Sequence, residues 1–118
     1  AAPVQDDFGD IPEEAAGLVP APGGTSASIV SGRFEYGQDE DWFSFPVVRD
    51  ATYRIEFDTT RTVPAVASFI RENLKSPFRT DQNSFVEFRA ASSTTVFIDL
   101  YSANETPGTY AFRVFEYR

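Results

Sequence analysis

Three carboxylates stand together in the stretch QDEDWFSFPVV: Asp39, Glu40 and Asp41 run directly into Trp42, Phe43 and Phe45. A second acidic set, Asp6, Asp7 and Asp10, lies near the N-terminus. Carboxylates in such groups can hold a hard cation, serve as an acid–base pair, or simply solvate a turn. Calcium takes six to eight oxygen ligands from carboxylates, carbonyls and water. If the N-terminal segment packs back near residues 39–41, the two sets can share one ion. In a straight strand, Asp39 and Asp41 stand about 6.6 Å apart at ~3.3 Å per residue, so joint ligation needs a bend, which Gly37 would ease. Neither an EF-hand loop nor a Gly-rich nonapeptide repeat is present. A solvated acidic turn accounts for the same residues.

Acid–base catalysis has less behind it. The sequence contains no His and no Cys. This removes the imidazole base, the thiolate nucleophile and the usual Cys/His zinc sites. Glycoside hydrolysis needs two carboxyl groups about 5–10 Å apart across a cleft. With 18 acidic residues in the chain, some pair at that spacing arises by chance, and nothing singles one out. No Gly-x-Ser-x-Gly elbow occurs. The sequence therefore reads as a non-enzyme. Aromatic contact is the remaining chemistry. With Phe43 and Phe45 facing inward, Trp42 falls on the opposite face, where it can stack on a sugar or a partner. Cover by the N-terminal segment would explain it equally well. Trp42 and Tyr36 are the candidate ligand-contacting aromatics.

These residues must be positioned by short strands. Segment 1–28 carries Pro3, Pro12, Pro20, Pro22 and four glycines, with no basic residue before Arg33. It is expected to be an extended, mostly irregular acidic arm, in which PEEAAGL can form one helical turn with Pro12 at its first position. From residue 29 the pattern has period two. Phe43, Phe45 and Val47 share a face, as do Tyr53, Ile55 and Phe57, then Val86, Phe88 and Ala90, then Tyr110, Phe112 and Val114. TTVFIDLYS is apolar on both faces, as expected of a central strand. SPFRT reads as a short edge strand, and Pro46 marks an edge or bulge. The expected fold is all-β: an antiparallel, jelly-roll-like β-sandwich of seven or eight strands spanning 29–118, with the arm completing a single domain.

Composition narrows the partners. The hydrophobic fraction is 42% with 12 Phe, enough for a core. No apolar run approaches the ~18 residues of a membrane span. A net charge of −8 disfavours nucleic acid and anionic lipid, and permits a cation or a basic partner. The lack of Met gives the expectation of a processed protein or an excised fragment, and AAPVQDD suits the end left by signal-peptide cleavage.

The order of motifs resembles the bacterial pre-peptidase C-terminal domain. The resemblance runs through DDFGDIPEEAAGL, SIVSGRFEYGQDEDWFSF, ATYRIEF and TPGTYAFRVFEY. The matching residues are Asp6 and Asp7, Ala15 and Ala16, Gly32, Asp39 with Asp41, Trp42 and Phe43, Tyr53, Gly108 and Tyr110. The chain departs from the pattern at VVRDATY and between Val63 and Thr80. The resemblance implies a non-catalytic accessory module, secreted, periplasmic or on the cell surface. Its partner would be a parent enzyme or an extracellular assembly, or else a polymer such as polysaccharide or collagen. It also implies calcium held by Asp6, Asp7, Asp39 and Asp41, tying the arm to the loop before the Trp42 strand.

Overall fold

The structure is a computed structural model, which describes residues 15–24, 29–72 and 76–118. Ten strands are present among them: β1 (Ala16–Gly17), β2 (Ala21–Pro22), β3 (Val30–Phe34), β4 (Glu40–Val47), β5 (Thr52–Phe57), β6 (Ala65–Ile70), β7 (Phe78–Arg79), β8 (Phe85–Arg89), β9 (Thr94–Ser102) and β10 (Gly108–Tyr117). One sheet runs β1-β4-β9-β6-β7. The other runs β2-β10-β5-β8, with β3 also paired to β10. No helix of the described residues is long and apolar enough to cross a membrane.

The alternation of side chains along each strand builds the core. Phe43, Phe45 and Val47 of β4 meet Tyr53, Ile55 and Phe57 of β5 and Tyr110, Phe112 and Val114 of β10 between the sheets. The rings interlock across the gap: Phe43 sits edge-on to Phe112 at 5.2 Å, and Phe45 lies 5.8 Å from Tyr53. Each such side chain contributes about 1.5–3 kcal/mol when fully buried. Val86, expected inside, is only half-buried. β9 is central in its sheet, between β4 and β6, as its two apolar faces require. β7 is the expected edge strand.

Strands β3 to β10 pair antiparallel throughout, whereas β1 and β2 pair in parallel with β4 and β10. These two come from the segment expected to be irregular. Pro12–Glu14 of the expected helical turn lie outside the described residues, but Ala16 and Gly17, which close it, are strand. The cause is tertiary. Ala16 and Leu18 pack on the core, and the Leu18 N–H donates to the Ser44 carbonyl at 2.7 Å. Pairing with the edge of β4 outweighs a weak helical preference. β1 reaches only Phe43 and Ser44, so Pro46, which has no N–H to donate, falls beyond it on that edge.

Candidate functional site

The chain between β3 and β4 turns on Asp39. The Glu35 N–H donates to Asp39 Oδ2 at 2.8 Å, and the Asp39 N–H donates to the Tyr36 carbonyl at 3.1 Å. The aspartate thus closes its own loop, a common use of a short acidic side chain. Gly37 is required there: a Cβ on it would lie 2.2 Å from the Glu105 carbonyl oxygen in the β9–β10 loop. Asp39 is wholly buried by this arrangement.

Asp41 is also wholly buried. It precedes Phe43 by two residues, so the pleat turns it into the sandwich with Phe43 and Phe45. There the Tyr110 hydroxyl donates to Asp41 Oδ2 at 2.6 Å, joining β4 of one sheet to β10 of the other. A buried carboxylate is costly unless it accepts good hydrogen bonds, and a phenol donor offsets part of that cost. The opposite end of β4 is pinned in the same manner. The Val48 N–H donates to the Tyr53 hydroxyl at 2.7 Å, and that hydroxyl donates to Glu116 Oε2 at 2.8 Å.

Asp39 and Asp41 are thus both buried, one in the loop before β4 and the other at its start, each held by its own donor. Asp6 and Asp7 lie outside the described residues. Among the described residues no three acidic side chains gather as a metal cluster. Trp42 does lie on the face opposite Phe43, but it is only 8% exposed and presents no open ring. Tyr36, in the β3–β4 loop, is 37% exposed.

One acidic pair was not singled out from the sequence. Asp99, on β9, lies beside Trp42 of β4 and Ser68 of β6 on the outer face of its sheet, diagonal to Glu40. Burial, then a hydrogen bond and charge repulsion from Glu40, push its carboxyl up to about 8. Its Oδ1 is buried and accepts no hydrogen bond among the described residues. A lone acid within the apolar run VFIDLY was the available signal.

Neither a protein-family model nor any curated protein matches the chain. Solved structures do. The periplasmic inhibitor of g-type lysozyme, PliG, from Aeromonas hydrophila superposes with a TM-score of 0.61 at 14% identity, over 86% of this chain and 99% of that one. PliG from Salmonella Typhimurium gives 0.60 at 8% identity, over 86% and 98%. The pre-peptidase C-terminal domain of a Bacillus anthracis collagenase gives 0.55 at 16% identity, over 90% and 99%. The fold is therefore the one the motif order pointed to, and the lysozyme inhibitors share it.

Proposed function

We propose that this chain is a non-catalytic module that works outside the cytoplasm by contact with another protein. The observation that carries the reading is the use made of the acidic cluster. Asp39 and Asp41, the carboxylates best placed for chemistry, are buried and hydrogen-bonded into a loop and an inter-sheet tie. They hold the scaffold and expose no surface among the described residues. The fold supports the same reading, since it is found in the pre-peptidase C-terminal domain of a collagenase and in lysozyme inhibitors. The finer alternatives are attachment of a parent enzyme or extracellular assembly and, with the PliG fold behind it, inhibition of a g-type lysozyme. A polysaccharide or collagen platform gains less, because Trp42 is covered.

The same reading includes a calcium ion at the buried acids. Asp39 and Asp41 would offer carboxylate oxygens to it beside the Glu35 N–H and Tyr110 hydroxyl that already donate to their Oδ2 atoms. Asp6 and Asp7 would complete the set. The ion would neutralise charge and fasten the N-terminal segment.

The test has two arms. The chain is assayed for peptide and glycoside hydrolysis, and it is added to a g-type lysozyme while bacterial lysis is followed. No turnover is expected in the first arm. Turnover abolished by one Asp or Glu substitution overturns the reading. Slowed lysis in the second arm selects inhibition over attachment.

A further inference from the structure

β8 ends its sheet: β5 lies along one side of it, and no described strand lies along the other. Its ladder with β5 is fixed at both ends. The Phe57 N–H donates to the Ser84 carbonyl at 2.7 Å, and the Ala90 N–H donates to the Ala51 carbonyl at 2.9 Å. Hydrogen-bonded positions of an antiparallel pair recur at every second residue. Ser84, Val86, Phe88 and Ala90 therefore turn their N–H and C=O groups toward β5. Phe85, Glu87 and Arg89 turn theirs outward, where no backbone group of the described residues meets them. The other edges are less open. β1, β2 and β7 are two residues each. β3 is as long as β8 but carries Gly32, and the Glu35 N–H beside it is taken by Asp39. β8 has no Pro, no Lys and no bulge in its register from Phe85 to Arg89, which are the usual devices that close an edge.

We infer that β8 pairs antiparallel with β8 of a second copy of this chain, about a two-fold axis at Phe88. An outward row of alternating N–H and C=O groups is matched in full only by another extended backbone, and the same edge on a second copy is one. The side chains choose the register. An axis at Glu87 sets that carboxylate against its own copy, a like-charge pair. An axis at Phe88 sets Glu87 of each copy opposite Arg89 of the other, and each such pair exchanges two backbone hydrogen bonds. In their own chain Glu87 touches Arg54 at 3.3 Å and Arg89 touches Asp50 at 3.2 Å. Their charges therefore set only the register, and the backbone groups supply the attraction. In this register half-buried Val86 falls opposite Ala90 and gains cover. Phe88, already packed on Phe45, Tyr53 and Phe69, meets Phe88 of the other copy. This two-way fit favours a second copy over an unrelated strand. A net charge of −8 on each copy opposes the contact, so association is weak and strengthens as salt screens it. The inference goes beyond the contact-module reading and does not depend on it.

The test follows the full chain by sedimentation velocity and amide hydrogen exchange over a dilution series. A dimer is expected to grow with concentration and with added salt. Exchange at the Glu87 and Arg89 amides should slow in step with it. Glu87→Pro deletes an outward N–H and spares the ladder with β5, as proline does on an edge. Because the axis counts each change twice, it should weaken the dimer about tenfold or more. Circular dichroism checks that the variant keeps its sheet. The charges give a second reading that does not depend on proline. Arg89→Glu should weaken the dimer, and Glu87→Arg combined with Arg89→Glu should restore it. A chain that stays monomeric throughout, or slowed exchange confined to residues outside β8, overturns the inference. So does a dimer indifferent both to a folded Glu87→Pro variant and to the charge exchange. A synthetic peptide of alternating Thr and Val that slows exchange at Glu87 and Arg89 while the chain alone stays monomeric overturns the choice of a second copy. Hydrolytic turnover would sink the contact-module reading and leave the dilution series unaffected.

Discussion

The Tyr110 hydroxyl donates a 2.6 Å hydrogen bond to Asp41 Oδ2 inside the sandwich, so a carboxylate and a phenol from opposite sheets meet where only apolar contact was required. Charge-assisted bonds of this kind are among the stronger ones in proteins. Tyr110→Phe keeps the ring and its stacking but deletes the donor. We expect a loss of about 1.5–3 kcal/mol in urea unfolding. A loss near zero would show that the bond contributes nothing to stability.

The Asp99–Glu40 pair should impose a pH dependence. The folded-state value of Asp99 is raised from 3.8 to about 8, so its contribution is fully present below 3.8 and lost as pH rises through about 8. The side chains facing it are Glu40 and Trp42 of β4, Ser68 of β6, and Phe97 and Tyr101 of β9; of these Glu40 carries the charge. Asp99→Asn should raise the melting temperature at pH 9 more than at pH 5. Equal shifts at both values would contradict the assignment.

Calcium should stabilise the chain if Asp6, Asp7, Asp39 and Asp41 share an ion. The gain follows RT ln(1 + [L]/Kd), about 2.7 kcal/mol at a hundredfold excess over Kd. Melts in EDTA and in millimolar calcium give the comparison. Coincident midpoints, with Asp39→Asn unresponsive as well, would leave these acids with purely structural roles.

Gly37→Ala should couple two loops unfavourably. The added Cβ meets the Glu105 backbone oxygen, not a flexible side-chain end, so the β3–β4 and β9–β10 loops must separate. A cost of about 1–3 kcal/mol is expected, typical of overpacking. An unchanged unfolding midpoint would show that the contact is not tight.

Much of the sandwich was legible because a pleated strand forces period two. Tyr53, Ile55 and Phe57 announce an inward face without any knowledge of their partners, and all three are buried. The same parity already placed Asp41 two residues before Phe43 on the inward side. It went unheeded because an acidic residue suggests solvent. Asp99 was missed for the opposite reason: in a strand apolar on both faces, alternation carries little contrast.

What the residues alone determined was therefore the class of structure and its core, since steric alternation and burial act locally along each strand. Tertiary structure decided the rest. Ala16–Gly17 and Ala21–Pro22 are strands only because β4 and β10 offer them edges. Asp41 is a structural tie only because Tyr110, 69 residues later, brings a hydroxyl to it. β8 presents an edge only because β5 takes one side of it and no described strand takes the other. Each of these depends on which strand lies beside which, and that is set by the packing of the whole chain.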